Sequence, residues 1–351
     1  MITNAVSVLI PSAVSFLFGL VLAPGLAGIL YRAKAWKKRS GKGEGIGGGG
    51  TPIFDELHKE REISTPRMGG ILIWSSVLLT ALLFWLFQSM GPFWLQLNFT
   101  NRRETWLPLF ALLVGAIVGF VDDMLEVKRG TGGLSLGRRL TIVGAIGLVA
   151  GWWFYVRLGV TAIGVPFAAP LTVGWLIIPI FAAITLLIYA GGTIDGIDGL
   201  AGGVFSIIFM VYAGIAFSVN QVSLAAFCAS VAGATLAFLW FNIPPARFYM
   251  SETGSMALTL ALAMTAFATD AIAGGIGVAL LPLIALPLTG TVATTLLQVF
   301  WKKAFHKKLF RVAPIHHHFE AIGWPAAKVT MRYWVITIIV GVLGLALALL
   351  V

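Results

Sequence analysis

The sequence predicts an all-α, polytopic integral membrane protein with about ten transmembrane helices and both termini outside. Three observations carry that reading. The 351 residues are 58% hydrophobic and only 11% charged, against about 25% charged in a soluble globular domain. Mean hydropathy is +0.94, more apolar surface than an ordinary core can hide. The basic residues, finally, are confined to alternate connections between apolar runs.

A helix that crosses the hydrocarbon core needs about 20 mostly apolar residues. The first candidate, 5–30, lacks a positive leader and is too long for a cleaved signal, so it reads as a retained span. Further candidates follow at 69–90, 106–122, 139–158, 172–190, 200–218, 222–241, 255–272, 276–300 and 332–351. The last two before the terminal span are divided only by "AGGIG" at 273–277. The whole reads as one membrane-embedded domain, 1–351, with a flexible loop near 31–68.

Ten spans leave five loops on one side, near 31–68, 122–138, 191–199, 242–254 and 301–331. Of the 24 Lys and Arg residues, all but Arg102, Arg103 and Arg157 lie in those loops or at their edges. The positive-inside rule makes that side cytoplasmic. It also explains the net charge of +10 without nucleic acid as a partner. Cys228 is the single cysteine and forms no internal disulfide.

The acidic residues follow the same side. In "GFVDDMLEVKRG", Asp122 and Asp123 are expected to end the third span, where negative charge opposes the helix dipole. Either Lys128 and Arg129 offset them, or they serve as an acid/base group or magnesium site beside a phosphate, since Mg²⁺ favours carboxylates plus substrate phosphates. In "GGTIDGIDGLAGG", Asp195 and Asp198 each precede a glycine. A turn with Asp198 capping the next helix competes there with substrate binding.

In "FLWFNIPPARFYMSETGSMALT", Pro244 and Pro245 stop one span, and Asn242 and Glu252 lie at the boundary. Ser251 or Thr253 reads as a plain N-cap, while the free amides that open the next helix suit an anion. In "RVAPIHHHFEAIGW", His316, His317 and His318 lack zinc spacing. A solvated loop competes with proton transfer or hydrogen bonding to a phosphorylated substrate. "GIGGGG" at 45–50 matches a dinucleotide-binding pattern only formally, for want of a βαβ unit. Asp270 reads as interfacial.

Carboxylates, histidines, an amide and cations on one face suit phosphoryl transfer, where charge builds on phosphate oxygens. The span interiors carry essentially no charge, which argues against a secondary transporter.

These motifs resemble the bacterial phospho-N-acetylmuramoyl-pentapeptide transferases, within the polyprenyl-phosphate N-acetylhexosamine-1-phosphate transferase superfamily. The similarity runs from about Ser64 onward, through "STPRMGG", "GFVDD", "DGIDGLAGG", "FLWFN", "GS" at 254–255 and "APIHHHFE". The resemblance implies a Mg²⁺-dependent bacterial inner-membrane enzyme, active on the cytoplasmic face and often a homodimer. It would transfer phospho-N-acetylmuramoyl-pentapeptide from UDP to undecaprenyl phosphate, giving lipid I and UMP. By position it implies catalytic roles for Asp122, Asp123 and His316, with Asp122 keeping the lipid phosphate deprotonated. Asp195, Asp198, Asn242, His317, His318 and Lys128 are the expected substrate contacts, and Glu252 with Asp123 the expected metal ligands.

Four departures from the family pattern stand out. "MSETGS" puts Glu252 where a metal-binding Asp is usual, after Ser251 in place of glycine. Gly192 replaces a polar residue, Glu126 occupies a usually basic position, and residues 41–60 lack the usual Lys- and His-containing stretch. Two other functions compete on this evidence: transfer of another UDP-N-acetylhexosamine, and a non-catalytic lipid-phosphate binder or transporter.

Overall fold

A computed structural model describes residues 2–38, 63–129, 132–271 and 275–350. The "GIGGGG" stretch and most of the long loop near 31–68 lie outside them. The described chain is helical apart from short connections and one hairpin. Its long helices are α1 (Ile2–Arg32), α2 (Gly70–Phe87), α4 (Arg103–Arg129), α5 (Leu136–Leu158), α6 (Ile177–Gly191), α7 (Leu200–Ser218), α8 (Val222–Asn242), α9 (Ser251–Ala271), α11 (Leu286–Phe305) and α13 (Ala326–Leu350). Shorter pieces intervene: α3 (Pro92–Leu97), α10 (Gly277–Ile284) and α12 (Ile315–Ala321). Strands β1 (Ala162–Val165) and β2 (Ala168–Thr172) pair antiparallel.

Every one of the ten apolar stretches is therefore helical. Eight helices among the described residues are long and apolar enough to cross a membrane, or up to nine if α10 and α11 form one broken span. The expected straight span at 276–300 is not straight: α10 and α11 meet at 69°. Ala285 separates them, and Pro287 follows in the first turn of α11, where its missing N–H costs no hydrogen bond. The remaining stretch, α9, runs 21 residues, roughly 30 Å at 1.5 Å per residue. It is buried from Thr253 to Asp270, so neighbouring helices, not lipid, surround its threonines.

Small residues decide which helices touch. A Cβ on Gly119 would sit 2.1 Å from the carbonyl oxygen of Glu252, and one on Gly115 2.7 Å from that of Met256. These two glycines, one turn apart on α4, let the backbones of α4 and α9 meet directly, the usual device of helix pairs in membranes. Gly70 at the start of α2 meets Gly254 equally closely, with 2.2 Å from its virtual Cβ to the Gly254 nitrogen. Three backbones thus converge on the first turn of α9. Further along, Phe181 stacks on Phe267 (3.9 Å between centroids) with Phe154 beside them, and all three rings are buried.

At the end of α9 away from this junction, Asp270, read as interfacial, is buried within the protein. Its two oxygens accept N–H groups from Gly164 in the hairpin (2.9 Å) and Val278 at the start of α10 (3.4 Å). The carboxylate is a clasp that ties β1 to the start of α10.

Adding a methyl at Gly119 must push α4 off α9. We expect Gly119→Ala to lose about 1–3 kcal/mol, the usual cost of overpacking. A lower thermal midpoint of the detergent-solubilised protein, followed by fluorescence-detected gel filtration, checks this; an unchanged midpoint contradicts the packing.

Candidate active site

All the acidic constellations meet at one end of the bundle. Asp122 and Asp123 do not end their helix, because α4 continues to Arg129. They lie two turns inside it, facing the N-terminus of α9. The dipole penalty expected at a helix end is thereby avoided, and the positive end of α9 supplies the compensation.

Asp123 is completely buried and fully used. Oδ2 accepts the Thr253 N–H (2.8 Å), the Thr253 hydroxyl (2.6 Å) and the Ser251 hydroxyl (2.7 Å). Oδ1 accepts two bonds from the Arg67 guanidinium, at 3.2 and 3.4 Å. Asp123 is thus the cap of α9, delivered by another helix. Both of its oxygens accept from protein donors.

Asp122 is also buried but less satisfied. Oδ1 accepts the Leu134 N–H at 2.5 Å, held close because Gly133 has no side chain to block it. Oδ2 faces Arg139 at 3.8 Å, and the same guanidinium nitrogen lies 2.5 Å from Glu252 Oε1. Glu126 pairs with Arg67 (3.0 Å) and with Lys37 (3.4 Å). Burial by itself lowers the pKa of Arg67, and Glu126 and Asp123 more than reverse that, so the group stays charged.

Lys128, expected to balance the acidic pair, is exposed. It lies six residues beyond Asp122, roughly 240° around the helix, and its carbonyl accepts the Lys38 ammonium. The neutralising cations are Arg67, Arg139 and Lys37. Sequence reading counted them only as loop charge. Their signal was weak: each lies at or just beyond the end of a span, on the side holding the acids.

The second acidic loop joins from α6–α7. Asp195 Oδ2 accepts the Ser251 N–H (2.8 Å). Burial pushes its carboxyl up to about 6, and the charges of Asp123 and Glu252 add to this against the pull of the Ser251 N–H and Arg67. Asp198 accepts the Ala246 N–H (3.1 Å), and its carbonyl takes the Thr330 hydroxyl. Asn242 bonds backbone at both ends, Oδ1 to the Gly199 N–H and Nδ2 to the Phe248 carbonyl. Its amide holds the Gly199 and Phe248 segments in register.

The histidines close the ring. α12 carries His316 and His317 into buried positions with their rings 4.3 Å apart. Both press on Gly196, where a Cβ would lie 2.5 Å from His317 Nε2 and 3.1 Å from His316 Nε2. His317 Nδ1 bonds Glu320 (2.8 Å). His318 is more exposed and accepts the Arg311 N–H, a bond within its own loop. The first two histidines therefore stand over the Asp195–Asp198 turn, and the third does not.

Residues 105–270 match the model of the glycosyl transferase family 4. The chain is 34% identical over 330 residues to the phospho-N-acetylmuramoyl-pentapeptide-transferase of Granulibacter bethesdensis, covering 85% of this chain and 84% of that protein. It is 32% identical over 348 residues to the protein of that name from a Geobacillus strain, covering 94% of each, and 35% identical over 322 residues to that of Gluconobacter oxydans, covering 84% of this chain and 82% of the relative. The chain belongs to the phospho-N-acetylmuramoyl-pentapeptide transferase family. The carboxylates of this site divide into two kinds: Asp123 accepts five hydrogen bonds from Arg67, Ser251 and Thr253, whereas Asp122 and Glu252 share the Arg139 guanidinium.

Among the described residues no three His, Cys, Asp or Glu side chains form a ready-made cation cage. The donor set nonetheless suits Mg²⁺, which keeps few protein ligands and takes the rest from water and phosphate. Asp122 and Glu252 share Arg139, and Asp123 and Glu126 share Arg67, with Lys37 also on Glu126. Carboxylates grouped this closely fit a hard cation.

The two adjacent aspartates should fail differently. Removing Asp123 strands the Arg67 charge and the amides of α9, and breaking a buried pair costs about 3–5 kcal/mol. Asp123→Ala is expected to lose most folded protein, while Asp122→Asn keeps a near-parental midpoint. Thermal melting of the two purified variants checks this, and equal melting of both contradicts the division of roles.

Proposed function

We propose that this protein transfers phospho-N-acetylmuramoyl-pentapeptide from its UDP carrier to undecaprenyl phosphate, releasing UMP and forming lipid I. The observation that carries the reading is the convergence of Asp122, Asp195 and Glu252 with His316 and His317 at one end of a membrane-type bundle. The family membership and the names of its relatives support the same reaction. The distribution of Lys and Arg supports a cytoplasmic location for that end, and so a bacterial inner-membrane enzyme. Assembly as a homodimer follows from the resemblance and belongs to the proposal.

The chemistry divides among these residues. Asp122, beside the Arg139 guanidinium, takes the proton from the lipid phosphate, so that the attacking oxygen is anionic. Asp195 and Asp198 hold the turn against which the nucleotide binds, and Asn242 keeps that turn in place. His316 and His317, packed on Gly196, bind or protonate the transferred phosphate and its sugar. Arg67 and Lys37 offset charge without touching the reacting atoms. Glu252, together with substrate phosphates, would hold Mg²⁺, which when bound would neutralise charge developing on the phosphate oxygens.

The test is UMP release by the purified protein with undecaprenyl phosphate and either UDP-N-acetylmuramoyl-pentapeptide or UDP-N-acetylglucosamine. Release is expected with the first, and loss by about 10²-fold or more in Asp122→Asn, in the range general-base removal costs. Release with the second alone means a different sugar nucleotide, and full activity of Asp122→Asn refutes the proposed base.

A pH dependence follows from Asp195. Its carboxyl, pushed up to about 6 by burial, is protonated below that value, so kcat/KM should fall on the acid side with an apparent pKa near 6. A kcat/KM profile between roughly pH 5 and 8 reads this limb. Its persistence unchanged in Asp195→Asn would assign the limb to another group.

A further inference from the structure

Ser251 is the first residue of α9, yet it does not cap that helix. Its φ is +51°, the left-handed region that favours glycine. A serine there forgoes glycine's freedom, and three bonds show what it gains. Its hydroxyl donates to Asp123 Oδ2 (2.7 Å) and accepts the Met68 N–H (2.8 Å). Its own N–H donates to Asp195 Oδ2 (2.8 Å). The capping of α9 falls to Asp123 through Thr253.

Backbone pairing around it makes the junction stiff. Tyr249 N–H donates to the Pro66 carbonyl (2.8 Å), and the N–H groups of Gly69 and Gly70 donate to the carbonyls of Tyr249 and Met250. Residues 66–70 and 249–251 therefore run side by side like a short ladder, with the Ser251 hydroxyl as its last rung. Met68 too is left-handed, at φ +67°, and its N–H points to that hydroxyl. Ser251 is buried and immediately precedes Glu252.

We propose that Ser251 is the positioning residue of this site: it links the 63–70 loop, Asp123 and Asp195 at one point and so fixes where Asp195 and Glu252 present their carboxylates. Ser251 touches no substrate in this role. It works through groups that do, as outer partners of metal and phosphate ligands generally work. The inference rests on the transfer reading for its kinetic consequences and on the hydrogen bonds alone for its structural ones.

Two substitutions separate positioning from stability. Ser251→Gly removes the hydroxyl and relieves the left-handed backbone, so the thermal midpoint should stay level or rise. Ser251→Ala removes the hydroxyl and keeps the strain, so the midpoint should drop. Both should lower kcat for UMP release by about 10-fold or more and raise the Mg²⁺ concentration for half-maximal rate, the size of effect typical of outer-shell ligand partners. A purely structural serine predicts instead that activity follows the midpoint, leaving Ser251→Gly fully active.

Hydrogen–deuterium exchange of the full-length protein supplies a readout independent of activity. The peptide covering 63–70 should exchange faster in both variants, because the Met68 N–H loses its acceptor. If the parent releases no UMP, the transfer reading fails while the exchange result still decides the linkage. Ser251→Gly with parental kcat, Mg²⁺ dependence and exchange overturns the proposal.

Discussion

A buried carboxylate without partners is among the most costly groups a protein can carry, and Asp123 is completely buried. Its five hydrogen bonds, two from Arg67 and three from Ser251 and Thr253, are what make the position tenable. Meeting that demand fixes three other pieces of the fold. α9 must begin where its amides reach α4, the 63–70 loop must bring Arg67 beneath both, and Gly115, Gly119, Gly70 and Gly254 must leave room for the backbones to touch. The helix dipole of α9 then works for the charge instead of against it.

Buried polar side chains at the two ends of α9 divide their labour. Asp123, Asn242 and Asp270 have their polar atoms committed to backbone or fixed side chains, and each joins two segments. Asp122 and Glu252 share the Arg139 guanidinium, and Asp195 lies in the field of Arg67. The scaffold thus holds its geometry through protein contacts of its own, apart from the carboxylates that face the site.

The departures from the family pattern sit inside this network. Glu126, at a usually basic position, finds its compensation in Lys37 and Arg67, so the local balance survives the reversal of one charge. Ser251, at a usual glycine, keeps the left-handed backbone and adds a hydroxyl that two neighbours use. Gly192 packs its bare Cα near Thr259 and Ser255; nothing in the structure explains the loss of a polar side chain there.

The sequence by itself determined the class of fold and the end of the molecule where the chemistry lies. Hydropathy and the placement of Lys and Arg are one-dimensional properties, since a span is a run of neighbours and a loop charge belongs to its loop. They located all ten helical stretches and collected Asp122, Asp195, Asn242, Glu252 and His316 on one face. The tertiary structure alone decided what each residue does there. Which of two adjacent aspartates is saturated, why Lys128 gives way to Arg67 and Arg139, where α10 breaks from α11, and that Asp270 is a clasp all depend on contacts between segments far apart in the chain. Hydrogen-bond capacity is spent in space, and neither spacing nor composition records the partner on which it is spent.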